Sequence, residues 1–165
     1  PYTTSIDLVN HIKEVTPDSL NYLIKDMFET ITLYQNRVVE TKSEKLDNGK
    51  YKVDIEFKVS KYRNNEKGRA FYGAEERDSI TYQTSDMKKP EYSVFLKDYI
   101  DIGIFGKDED DNEKEIELYL KKHKISSIHN KISIIVDKEP IEVGVDPYNK
   151  LIDTNSEDNR KKIEK

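Results

Sequence analysis

The sequence predicts a mainly-β α+β fold, in which a small antiparallel β-sandwich follows two short amphipathic helices. Three observations carry this. Between Thr4 and Phe28 the apolar residues recur at helical spacing. After Phe28 the period drops to two, most cleanly in Tyr51, Val53, Ile55, Phe57 and Val59 and again in Ile100, Ile102 and Ile104. Turn signals then recur at regular intervals, as in sandwiches. The chain has 165 residues, enough to bury roughly 70% of its unfolded surface.

The first helix begins near Thr4, where Thr4 and Asp7 have capping-box spacing, although Asp reaches back less well than Glu or Gln. Leu8, Val9, Ile12 and Val15 form its apolar stripe. Thr16-Pro17-Asp18 restarts the pattern: Thr16 as N-cap, Pro17 at the first helical position, Asp18 at the positive end of the dipole. Leu20, Leu23, Ile24, Met27 and Phe28 give the second stripe, and both stripes require a partner surface. The Asn48-Gly49 pair then marks a hairpin, because both residues tolerate positive φ. Its downstream strand is Tyr51 to Val59, and its upstream strand is placed at Arg37 to Leu46, nearer an edge. Between Tyr62 and Lys89 the pattern is weak, with a turn at Asn64 to Gly68 and a short strand at Ile80-Thr81-Tyr82. Ile100 to Ile104 and Ile116 to Leu120 flank the acidic loop from Gly106 to Glu113 as a second hairpin. Ile132, Ile134 and Val136 are expected to pair with Ile141, Val143 and Val145 across Lys138-Glu139-Pro140 as a third. Asp146-Pro147 ends the last strand, since Pro restricts the residue before it and donates nothing to a ladder. Beyond it, Leu151 and Ile152 are expected to anchor a polar strap along the domain.

Composition narrows the function. A net charge of −5 argues against non-specific nucleic-acid binding, which needs a basic footprint. With no cysteine, there is neither a disulfide framework nor a thiolate metal site. No apolar run approaches the ~20 residues of a membrane-spanning helix, and no signal peptide opens the chain. Because the first residue is Pro1, the expectation is a segment of a longer protein.

No complete catalytic constellation is visible. His11 has no second histidine four residues on, so the HExxH zinc helix is absent, and His123 and His129 read as surface residues. Asp108, Asp110 and Asn112 start like a calcium loop, but Glu113 stands where Gly is required and Tyr119 where the bidentate Glu is required. Asp153, Asn155 and Glu157 fail in the same way. Gly103-Ile104-Phe105-Gly106 is no phosphate loop, no serine lies in G-x-S-x-G, and Glu75-Glu76 has no evident cleft. Eleven tyrosines either fill half-buried strand positions or line a binding face.

Two stretches together carry a family resemblance. One runs from Pro1-Tyr2-Thr3-Thr4-Ser5-Ile6-Asp7-Leu8-Val9 through Val15-Thr16-Pro17-Asp18-Ser19-Leu20 to Asp26-Met27-Phe28-Glu29-Thr30-Ile31-Thr32-Leu33-Tyr34. The other is Gly144-Val145-Asp146-Pro147-Tyr148-Asn149-Lys150-Leu151-Ile152-Asp153 with Glu157-Asp158-Asn159. Asp98 to Phe105 and Leu118 to His123 fit between them. These resemble the C-terminal part of bacterial aminopeptidase N-like (gluzincin) zinc metallopeptidases, in the subgroup fused to an ABC-type permease membrane region. The tail departs from the family pattern at Thr154, where Arg is expected, and at Ser156, where Pro is expected.

The resemblance implies that residues 1–31 end an upstream helical domain, that 32–147 form an immunoglobulin-like β-sandwich, and that 148–165 are an extended polar tail. It also implies a non-catalytic accessory domain bracing the catalytic region of a membrane-associated zinc aminopeptidase. Zinc, peptide substrate and membrane contact would all belong to the parent, and no residue here is assigned to catalysis, cofactor or metal. The partner would be the upstream catalytic domain of the same chain; this segment would itself be soluble, with no nucleic-acid partner. The alternative is a self-contained sandwich module binding carbohydrate or protein through a tyrosine-lined face.

Overall fold

The computed structural model describes residues 2–64, 70–72, 96–108, 111 and 114–163. The fold is mainly antiparallel β, with two sheets forming a sandwich-like body and two short helices at the N-terminus. The chain divides into two compact units, Pro1–Thr32 with Tyr62–Val94 and Leu33–Lys61 with Phe95–Lys165.

In the first unit, helix α1 (Ser5–Val15) starts at the expected capping box. The Thr4 backbone N–H donates to Asp7 Oδ2 at 2.8 Å, and the Asp7 N–H donates to Thr4 Oγ1 at 3.3 Å. Thr16 does not cap a second helix. It closes α1, and its hydroxyl donates to the Ile12 carbonyl at 2.6 Å; the following 3₁₀ turn has Pro17 at its N-cap and no side-chain capping bond. The second helix is also not uniform. A 3₁₀ turn (Asp18–Leu20) leads into α2 (Asn21–Ile24), which widens into a π turn (Lys25–Glu29). A π turn takes more residues per revolution than an α-helix and shifts the register of the residues after it. Ile24, ahead of the π turn, is buried with its stripe; within the turn Asp26 is buried, whereas Met27 is 71% exposed. Asp26 accepts from Arg63 Nε at 3.0 Å and from Nη2 as well.

The second unit holds the sandwich. Strand β1 (Ile31–Lys45) and strand β2 (Tyr51–Asn64) are neighbours joined at Asn48-Gly49. Only Gly49 takes positive φ, +81°, and Gly49 N–H donates to the Leu46 carbonyl at 2.9 Å while Leu46 N–H donates to Lys50 at 2.8 Å. This is the three-residue loop with a glycine bulge, not the two-residue turn with both residues left-handed. Strand β1 begins six residues earlier than expected, at Ile31 rather than Arg37. Strand β3 (Ala70–Tyr72) pairs with β2 from Tyr62 to Asn64, within the first unit. The predicted strand at Ile80-Thr81-Tyr82 and most of the predicted turn at Asn64 to Gly68 lie outside the described residues.

Strands β4 (Asp98–Lys107) and β5 (Glu115–Ile125) form the expected hairpin, with a register shift at Ile104/Phe105. The third expected hairpin does not form. Strand β6 (His129–Val136) pairs with β2, Tyr51 opposite Val136 through Lys58 opposite His129. Strand β7 (Pro140–Val145) pairs instead with β4, in the other sheet. Both strands present alternating apolar residues to one core, but from opposite sides, and Asp137 to Glu139 carry the chain across. The second sheet runs β5-β4-β7-β8, with β8 (Arg160–Lys162) at its edge. Residues 148–163, read from sequence as an extended tail, thus contain a 3₁₀ turn (Ser156–Asp158) and a strand.

The core joins Val53, Ile55, Phe57 and Val59 of β2 to Ile100, Ile102 and Ile104 of β4 and to Val143 and Val145 of β7. At its end lies a buried ion pair. Lys61 is 1% exposed, and its Nζ donates to both Asp98 oxygens at 3.0 and 3.1 Å. The Tyr34 hydroxyl donates to the same carboxylate at 3.1 Å. Replacing Lys61 by Met leaves Asp98 buried without its counter-ion, which should cost about 3–5 kcal/mol in urea unfolding. Adding Asp98→Leu to that variant should recover most of the loss; an equally unstable double variant would show that the pair's geometry, not its charge, is what matters.

Candidate functional site

Two regions are built beyond what the core requires. The first is the turn after β7. Asp146 is 1% exposed and left-handed at φ 48°, followed by Pro147 and by Asn149 at φ 51°. Asp and Asn tolerate this region better than other side-chain-bearing residues. The Asp146 carboxylate accepts the backbone N–H groups of Lys150 at 3.0 Å and Leu151 at 2.9 Å, while its own N–H donates to the Asp101 carbonyl at 2.8 Å. Asn149 N–H closes the turn onto the Asp146 carbonyl at 2.9 Å. Burial pushes the Asp146 carboxyl above its ordinary range; the two backbone bonds oppose this, and the charges of Asp101 and Asp153 add to it. Lys150 Nζ donates to Asp101 at 2.7 Å.

From this turn the chain runs back along the sandwich as the expected strap. Tyr34 N–H donates to the Ile152 carbonyl at 2.9 Å and Thr154 N–H to the Tyr34 carbonyl at 3.0 Å, a parallel bridge on β1. Asp153 accepts the Asn36 N–H at 2.8 Å. Leu151 packs on the core, whereas the Ile152 side chain is 70% exposed and the strap is held there through its backbone. Thr154 contributes backbone and hydroxyl contacts to Tyr34.

The strap then joins the edge of the second sheet as β8, from which the Arg160 side chain reaches across the sheet. The Arg160 guanidinium stacks over Phe105 at 4.1 Å and reaches Glu115 on β5 and Glu142 on β7, the latter at 2.7 Å. The glycines make this approach possible. A Cβ on Gly144 would lie 2.7 Å from Pro147 and 3.2 Å from Arg160, and one on Gly103 would lie 2.8 Å from the Phe105 ring and 3.0 Å from Pro147. Tyr148 closes over Phe105 edge-on, with centroids 6.1 Å apart, and donates to Glu117.

The second region is the apolar surface of the helical unit. No residue of α1 is buried; Leu8 is 56% and Val15 82% exposed. Tyr2, Ile6, Met27, Phe28 and Ile31 are exposed as well. An eleven-residue helix is too short to be stable alone, so its capping box needs help from packing.

The candidates for chemistry disperse. His11 is exposed on α1, 3.3 Å from Glu14; His123 is half-buried on β5, 2.8 Å from the Tyr119 hydroxyl; His129 begins β6, exposed. Asp108 holds Lys114 at 3.4 Å, while Asp110, Asn112, Glu113 and Glu75-Glu76 lie outside the described residues. Among the described residues no group of three or more His, Asp or Glu is arranged to hold a metal, and no helix is long and apolar enough to cross a membrane. Among the described tyrosines, Tyr34 is buried, while Tyr119 and Tyr148 bond to neighbouring side chains. Sequence reasoning did not single out Lys61 and Asp98, although parity gives them away. Lys61 continues the inward series Ile55, Phe57, Val59, and Asp98 precedes the inward series Ile100, Ile102, Ile104. Compared with known proteins, the chain matches no family model, no curated protein and no solved structure.

The strap has a pH signature. Asp146 and Asp158 are both raised, Asp158 first by burial and then by the charge of Asp153. A carboxyl raised on folding contributes stability that is complete below its unfolded pKa and is lost as pH rises through the folded value. The stability of the wild type relative to Asp146→Asn should therefore increase as pH falls from neutral into the carboxylate range. Denaturation midpoints of the two proteins, followed over that range, give the difference directly; a flat difference would show that Asp146 ionises in the fold as it does in the open chain.

Proposed function

We propose that this chain is a non-catalytic accessory domain of a membrane-associated zinc aminopeptidase, and that its helical unit is the part that docks. The observation that carries this reading is the uncovered apolar surface of α1. Val9 and Ile12 of its stripe are half-buried, whereas Leu8 and Val15 face solvent, so this capped, amphipathic helix keeps apolar surface to offer a partner. In the parent protein this stripe would lie against the upstream catalytic domain of the same chain. The reading of that parent as an aminopeptidase N-like peptidase rests on the resemblance of both termini to that family. Zinc and peptide would be held by the catalytic domain, with the sandwich bracing it from outside.

The chemistry of the described residues agrees with a bracing role. The buried lysine and aspartate neutralise one another, and the histidines do not converge on a shared ligand position. The alternative sugar-binding face is less favoured, because among the described tyrosines Tyr34 is buried and Tyr119 and Tyr148 are already bonded.

Two measurements bear on the proposal. The purified chain should bind no stoichiometric zinc and release no amino acid from aminopeptidase substrates, and it should give a flat glycan array; zinc at one equivalent or measurable turnover would overturn the reading. Leu8→Glu with Val15→Glu should leave the melting temperature of the isolated chain unchanged, since both side chains face water. In the full-length parent the same pair should make the junction between the catalytic region and the sandwich more sensitive to limited proteolysis. A double variant that melts lower on its own would mean that the stripe is packed internally.

A further inference from the structure

We propose that the arm after Asp146, residues 147–163, is exchangeable, and that this chain can donate it to a second copy of itself. The inference does not depend on the docking role of the helices. It rests on where the arm's contacts go and on the hinge that aims it.

The arm is held by contacts with the body of the sandwich. Strand β8 pairs with β7, the bridge at Ile152 and Thr154 pairs with Tyr34, Asp153 accepts from Asn36, and Arg160 sits on Phe105. A second copy offers the same body, so each of these contacts re-forms unchanged when two chains trade arms. The hinge alone differs between the closed and the exchanged forms. In the closed form Asp146 is held at φ 48° directly before Pro147, although a residue before proline favours extended backbone. Extending Asp146 relieves that strain and swings the arm away. The opposing terms are the two backbone N–H groups on its carboxylate, its own N–H on Asp101, and the entropy of bringing two chains together. Exchange is therefore concentration-dependent, and it is controlled at one residue. The exchanged arm also covers the backbone edges of β1 and β7 that its departure would expose.

The absence of cysteine in this chain makes the test direct. Glu142 and Lys162 lie opposite one another in the β7–β8 ladder, a separation that a disulfide can span. Glu142→Cys and Lys162→Cys, carried on separate chains, are mixed, unfolded and refolded together at high concentration under mild oxidation. The mixture should yield a covalent dimer containing one of each chain, well above the homodimers that either variant gives alone. The two cysteines in one dilute chain should close internally, confirming the register. Asp146→Val cannot take the left-handed conformation and loses the carboxylate, so it should raise the mixed dimer about tenfold or more. No excess of mixed dimer in the wild-type hinge background overturns the proposal, whether or not the valine variant folds. So does a mixed dimer whose yield is the same with folded Asp146→Val.

Discussion

A lysine with 1% exposure requires a carboxylate, and the ion pair of Lys61 with Asp98 is the constraint around which the sandwich closes. The two residues come from different sheets, one near the end of β2 and one at the start of β4. An apolar contact tolerates sliding, whereas two bonds of about 3 Å from one ammonium to both oxygens of a carboxylate do not. Tyr34 of β1 adds a third donor to the same group, so three strands are referenced to one carboxylate. The aliphatic core supplies most of the stabilisation, and the pair sets which rows of that core face each other.

The strap depends on that arrangement. Tyr34, whose hydroxyl holds Asp98, uses its backbone N–H and carbonyl to hold residues 152 and 154. One residue therefore connects the buried pair to the outer strap. On the opposite sheet, Gly103 and Gly144 leave the room that Pro147 and Arg160 occupy. The strap acts as an edge cover made from the chain itself, bordering β1 by a bridge and β7 by a strand. Such covering leaves these edges of the sandwich little backbone to offer a partner.

Much of the fold was legible in the sequence, and each departure has its own physical cause. The capping box at Thr4 and Asp7 and the inward rows of β2 and β4 are local patterns, and the structure contains them. The expected pairing of β6 with β7 does not form because alternation reports which face of a strand is buried, not which strand lies beside it. Thr16 is no N-cap because a hydroxyl can also bond back to the preceding turn. Met27 falls outside the buried stripe because the π turn does not obey a 3.6-residue period.

The sequence alone determined the helical start, the hairpin at Gly49 and the inward residues of the long strands. These come from periodicity and φ preference, which are properties of neighbouring residues. Only the tertiary structure decided the lateral order of the strands, the partner of Lys61, the burial of Asp26 by Arg63, and the return of the tail as β8. Backbone N–H and C=O groups are the same in every strand, so a ladder carries no label of its partner. The choice is made when the apolar faces close on one core and each buried charge must meet its opposite, at separations that no local pattern encodes.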